Sequence, residues 1–188
     1  MEITREKALS DLSEYVDSES LMKHSLAVEA SMMKMAEVFN EDENLWGCCG
    51  LLHDIDFQKY PDKHGEVGYN ILIDKGYDIE FCKAIKSHCD LTNENRITNM
   101  SKSLYAVDQL SSFIVACALV RPEKFVGITS KSVKKKLKDK AFARAVDRDE
   151  LQKAADELSI DITILIDYLI DGLIQREKYL NDLGLSLL

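Results

Sequence analysis

The chain has 188 residues, 46% of them hydrophobic, which is enough to build a real core. Its 24 basic and 33 acidic groups give a net charge of −9, so no overall field draws it onto DNA or RNA and general nucleic-acid binding is a poor first reading. Eight glycines and two prolines leave too little turn punctuation for an all-β fold, and the dominant Leu, Ala, Lys, Glu, Asp and Ile favour helices.

Thr4 can cap a first helix reaching about Tyr15. Ser18 or Ser20 starts a second, in which Leu21, Val28, Met32 and Met35 recur at helical spacing as far as Phe39. Asp42 caps a third, where Leu45, Trp46, Cys49, Leu52 and His53 share a face. Asp56, Pro61 and Asp62 break the pattern and make 54–63 a loop. Val67, Ile71 and Leu72 resume helical spacing, and Gly76 is a stop. Asp78 caps a short helix carrying Phe81, Ile85 and His88, and the polar stretch 90–99 is a loop. A long helix over about 101–120 ends before Arg121-Pro122. Three further helices are expected over 131–140, 147–158 and 161–180. The predicted architecture is an all-α helical bundle of one domain over 1–188, its core at about 20–122 and helices within 130–182 packed on it.

Cys48, Cys49, Cys82, Cys89 and Cys117 are odd in number and show no CxxC spacing. They read as reduced core thiols of a cytosolic protein rather than as a zinc finger. Residues 1–12 are charged and lack the apolar stretch of a signal peptide, and the longest apolar run, 113–120, is too short to cross a bilayer. A soluble, cytoplasmic protein without membrane association is expected.

The chemistry lies in polar residues on stripes that should be buried. His24 follows Leu21 by three positions and precedes Val28 by four. His53 closes the third helix in line with Trp46 and Cys49, and Asp54 stands where a helix end can aim it into the same space. Asp108 falls between Leu104 and Ser112 on the long helix. A buried aspartate is costly unless paired, and two imidazoles and two carboxylates cannot all satisfy one another. A divalent cation satisfies all four, and helical bundles build metal sites from facing helices in this way. Nitrogen and oxygen donors suit Mn, Fe, Co, Ni or Zn, and a water held by such an ion ionises readily. The bland alternative is four hydrogen-bonded residues with no ion between them.

These residues carry a resemblance. The order His24, His53-Asp54, Asp108 resembles the HD superfamily of metal-dependent phosphohydrolases. The stretch LLHDIDFQKYPDKHGEVGYNIL is similar to its HDIG branch, and IKSHCD to that branch's Ile-x-x-His-His-Glu segment. AVDQLSSFIVACALVRPEK and SVKKKLKDKAFARAVDRDEL look like the downstream part of small stand-alone bacterial and archaeal members. The likeness runs from about 20 to about 170. It implies that His24, His53, Asp54 and Asp108 bind one divalent metal ion, Mg included among the candidates. It further implies that His64 and His88 complete the shell of a second ion, with Asp54 bridging the two. Either of those histidines could instead be an acid or base that touches substrate. The chain departs from the branch at Asp56, which stands for a glycine in a Gly-Lys turn, and at Cys89, which stands for a histidine.

Lys59 and Lys63 lie in the loop beside these ligands, where an ammonium could neutralise phosphate oxygens, and with Asp54 they are the candidate catalytic residues. Asp56 could hold a water or act as a base, or only cap the loop. The lysines of 131–140 spread around a helix and read as a solvated face, with an approach for an anionic ligand as the alternative. The expected activity is hydrolysis of a phosphomonoester or phosphodiester in a small phosphorylated molecule such as a nucleotide. A two-iron oxygenase of the myo-inositol oxygenase type has the same donor composition, and a non-catalytic nucleotide- or metal-binding regulatory module is the third reading.

Overall fold

The computed structural model describes residues 3–188, and among these every regular element is a helix. In chain order they are α1 (Arg5–Ser13), α2 (Glu19–Phe39), α3 (Glu43–Leu52), α4 (Glu66–Asp74), α5 (Ile79–Lys86), α6 (Asn99–Leu119), α7 (Ser130–Leu137), α8 (Arg148–Leu158) and α9 (Ile162–Asp182). Short 3-10 turns lie at Pro61–Lys63 and Asp90–Thr92. The all-α expectation holds, and no described helix is long and apolar enough to cross a membrane.

Side-chain caps set the helix starts. Thr4, Ser18, Asp42, Asp78, Asp147 and Asp161 each accept a hydrogen bond from a backbone N–H of the first turn. Several boundaries differ from the sequence reading: α7 ends at Leu137, short of 140, and α5 ends at Lys86, which leaves His88 just beyond it. The first helix closes at Ser13, not near Tyr15. The long helix starts at Asn99 because Thr98 and Ser101 form a reciprocal capping box, so Ser101 lies inside the first turn.

Helix α2 is the central element, packed against α3, α6 and α9. Its residues from Ser25 to Met32 are all buried, as expected for a helix surrounded by neighbours. Gly50 lets α3 approach closely: a Cβ there would meet the Val28 carbonyl oxygen at 2.7 Å. Glu29, 1% exposed, is held by the guanidinium of Arg5 from α1 and that of Arg176 from α9. Helix α7 buries Val133 and packs on α9 and α6, while α8 lies along α6. All five cysteines are free thiols, four of them buried. Arg121 donates to the carbonyls of Lys124 and Val126, stitching the turn that follows α6.

Candidate metal centre

Five segments deliver side chains to one interior point. His24 comes from the first half of α2, His53 and Asp54 from the end of α3, and Asp108 from the middle of α6. His64 follows the Pro61–Lys63 turn and His88 follows α5. His53 and Asp56 are fully buried, and His88 and Asp54 nearly so.

The imidazoles form two pairs, each with Nε2 facing Nε2 at 3.0 Å: His24 with His53, and His64 with His88. Asp54 reaches both. Its Oδ2 is 3.4 Å from the Nε2 atoms of His24 and His53, while its Oδ1 is 3.4 Å from that of His64 and 3.6 Å from that of His88. Asp108 Oδ1 joins the first pair, 3.2 Å from His24 and 3.5 Å from His53.

The opposite face of each ring sets which nitrogen carries the proton. His53 Nδ1 donates to the Gly50 carbonyl at 2.7 Å, and His88 Nδ1 to the Ile85 carbonyl at 2.6 Å. A carbonyl can only accept, so both rings carry their proton on Nδ1 and are bare at Nε2 when neutral. His64 Nδ1 is 2.7 Å from Asp56 Oδ1, a carboxylate whose Oδ2 also accepts the backbone N–H of Gly65 and Gly68. That fixes the same tautomer. As neutral rings, His64 and His88 therefore aim two lone pairs at each other. Two nitrogens about 2.1 Å from one ion and at right angles about it lie about 3.0 Å apart, so the spacing fits a metal held between them. His24 Nδ1 meets Ser112 Oγ at 2.7 Å, and a hydroxyl can serve either tautomer.

Electrostatics agree. Burial alone would raise the carboxyls of Asp54 and Asp108, but the facing imidazoles more than offset it and hold both below the ordinary carboxylate range. Burial opposes charge on His24, yet the carboxylates of Asp108 and Asp54 push its imidazolium up to about 10. The pocket thus attracts positive charge, whether a proton or an ion.

Residues 21–113 match the family model of the HD domain. The chain belongs to the HD superfamily. That superfamily is one of metal-dependent phosphohydrolases, and the clustered histidines and aspartates of this HD domain can hold a divalent ion. All six donors lie within the matched segment. No curated protein matches the chain.

The structure brings together His24, His53, Asp54, His64, His88 and Asp108. It does not bring in the two lysines. Lys59 donates to the Glu14 carbonyl at 2.6 Å and lies over the Tyr15 ring, because the turn after Asp54 carries it back towards α1. Lys63 is exposed on the 3-10 turn and lines neither cavity that touches the donors. Asp56, left open between water holder, base and cap, orients His64 and caps α4. Gly68 enables this, since a Cβ there would sit 3.0 Å from the Asp56 carboxyl carbon.

Sequence reasoning missed three neighbours. Ser112, one helical turn after Asp108, partners His24. Phe57 meets the His64 ring edge-on, with centroids 5.2 Å apart and planes at 89°. Glu150 of α8 accepts from Tyr105 at 3.0 Å and Gln109 at 3.1 Å, and lines a 30 Å³ cavity with His88 and Asp108. Tyr105 and Gln109 flank Asp108 at helical spacing and carried that signal. On the other side a cleft of 460 Å³ opens between His24, Leu21, Ser18, Ser20, Phe57, Gln58 and Pro61.

Proposed function

We propose that this HD domain is a phosphohydrolase that cleaves a phosphate ester of a small molecule such as a nucleotide, with two divalent ions per chain. His24, His53, Asp108 and Asp54 Oδ2 would hold one ion, and His64, His88 and Asp54 Oδ1 the other. The observation that carries the reading is the Asp54 carboxylate spanning two Nε2–Nε2 contacts of 3.0 Å. Bound ions would supply a nucleophilic hydroxide at neutral pH and neutralise charge on the phosphoryl oxygens.

The chain's own groups supply the rest. The carbonyls of Gly50 and Ile85 and the carboxylate of Asp56 keep three imidazoles in the tautomer that presents Nε2. The buried Asp54 stays ionised and fixes the spacing between the pairs. Helix α8 closes one side of the donor cluster, leaving the cleft beside His24 as the approach for substrate.

The test is release of phosphate from a panel of nucleotides and simple phosphate esters by protein loaded with Mn, Co or Mg. Turnover that disappears in Asp54→Asn and His53→Ala supports the reading. No turnover with fully loaded protein contradicts it. Convergence of four histidines and two aspartates also favours a two-iron oxygenase as a second reading. Oxygen uptake by anaerobically iron-loaded protein with a polyol, without phosphate release from any ester, would select that instead.

A further inference from the structure

Phe57 sits three residues beyond Asp54 and is 47% exposed, although it adjoins the buried cluster of histidines and aspartates. Its ring meets His64 edge-on and forms one wall of the 460 Å³ cleft that His24 also lines. It therefore touches one histidine pair through His64 and faces a cleft that His24 of the other pair also lines. Leu21 and Pro61 add apolar surface to the cleft. The polar groups there are already engaged: Gln58 bonds to Asp17 and Ser18, and Ser18 caps α2.

The lining of this cleft contains no lysine or arginine, and neither does that of the small cavity beside Asp108, where Glu150 adds a carboxylate. Charge on a bound substrate must then be met by the metal ions alone. Against the four positive charges of two divalent ions stand the carboxylates of Asp54, Asp108 and Asp56, the last buried beside His64, so little positive charge is left beyond what one phosphate group takes up. A second phosphate would find no cation in the cleft, and on the α8 side it would meet Glu150.

We infer that the cleft takes a phosphate monoester whose organic part has a planar, aromatic face, and that Phe57 is its stacking platform. This rests on the phosphohydrolase reading for the placement of the phosphate. The cleft volume lies within the range of small-ligand pockets. Stacking of a planar ring on an aromatic side chain is sequence-tolerant but strong enough to read as about a tenfold gain in affinity.

The experiment compares binding of phenylphosphonate and methylphosphonate, which carry no cleavable ester, to manganese-loaded protein by calorimetry. The phenyl compound should bind about 10-fold more tightly, with the gain lost in Phe57→Ala and kept in Phe57→Trp. Methylphosphonate affinity and manganese stoichiometry should be unchanged in both variants. Equal affinity of the two compounds for the wild type, or a phenyl preference that survives Phe57→Ala, overturns the assignment. In turnover, adenosine monophosphate should exceed adenosine triphosphate in kcat/KM by about 10-fold or more, and parity would overturn the charge argument. Loss of the phenyl preference with turnover intact would leave the phosphohydrolase reading standing. An intact preference without any turnover would remove that reading and leave the platform.

Discussion

Asp56→Asn is a substitution whose effect can be worked out atom by atom. Asp56 is fully buried, with Oδ2 accepting from Gly65 N at 2.8 Å and Gly68 N at 2.6 Å, and Oδ1 against His64 Nδ1 at 2.7 Å. An asparagine must put its single oxygen at the Oδ2 position, because its NH2 cannot accept from two backbone donors. The NH2 then faces His64 Nδ1 and donates to it, which moves the ring proton to Nε2. That proton points at His88 Nε2, 3.0 Å away, and satisfies the pair without an ion. A metal at this pair must displace it. Loss of such an orienting partner costs about 10–100-fold in metal affinity, or about 1.4–2.8 kcal/mol. Because both backbone bonds to α4 survive, fold stability should fall by only about 1 kcal/mol. Manganese titration by calorimetry should show one equivalent weakened by that factor and the other, at His24 and His53, unchanged. Equal weakening of both equivalents, or of neither, would refute the tautomer argument.

Four further outcomes are expected. Asp54→Ala should abolish tight binding of both equivalents, since each pair loses its Asp54 oxygen; a variant that keeps both ions tight would show that Asp54 does not bridge. In metal-free protein the His24 imidazolium, raised from 6.5 to about 10 by Asp108 and Asp54, contributes stability that is fully present below pH 6.5 and lost as pH rises through about 10. Thermal unfolding after chelation should show that loss, and calorimetry in buffers of different ionisation enthalpy should show about one proton released per ion bound at this pair near pH 7.5. Glu29→Ala should destabilise by about 3–5 kcal/mol in urea unfolding, because it strands the Arg5 and Arg176 guanidiniums beside a 1% exposed position. Gly50→Ala should cost about 1–3 kcal/mol or more, since its Cβ would meet backbone atoms of Val28 and Glu29 at 2.7–2.9 Å; an unchanged midpoint would contradict the close α2–α3 packing.

Much of this was legible in the sequence, for identifiable reasons. Asp42, Asp78, Asp147 and Asp161 announced helix starts because a short carboxylate before an apolar-periodic run has few other uses. His24, His53 and Asp108 could be singled out because each interrupts a stripe that the helical period assigns to the interior. Asp54 followed from its place at the helix end beside His53, and the ligand roles of His64 and His88 came through a family resemblance, not through spacing. What stayed hidden depends on turn geometry and on distant packing. The direction of Lys59 is set by how the turn after Asp54 returns to α1, which no periodicity encodes. The choice for Asp56 required knowing that Gly65 and Gly68 present their N–H groups to it. Ser112 was visible only as one more position on α6 until His24 was placed across from it. Glu150 comes from α8, outside the matched HD segment, and Phe57 stands where a loop residue ordinarily has no neighbours to identify it.

The central claim is that two imidazole pairs share one carboxylate around two cations. Anomalous diffraction from crystals of the manganese-loaded protein tests it most directly. One peak should lie about 2.1 Å from the Nε2 atoms of His24 and His53, and a second at the same distance from those of His64 and His88, with an Asp54 oxygen on each. A single peak, or rings turned so that Nε2 no longer faces Nε2 across an ion, would contradict it.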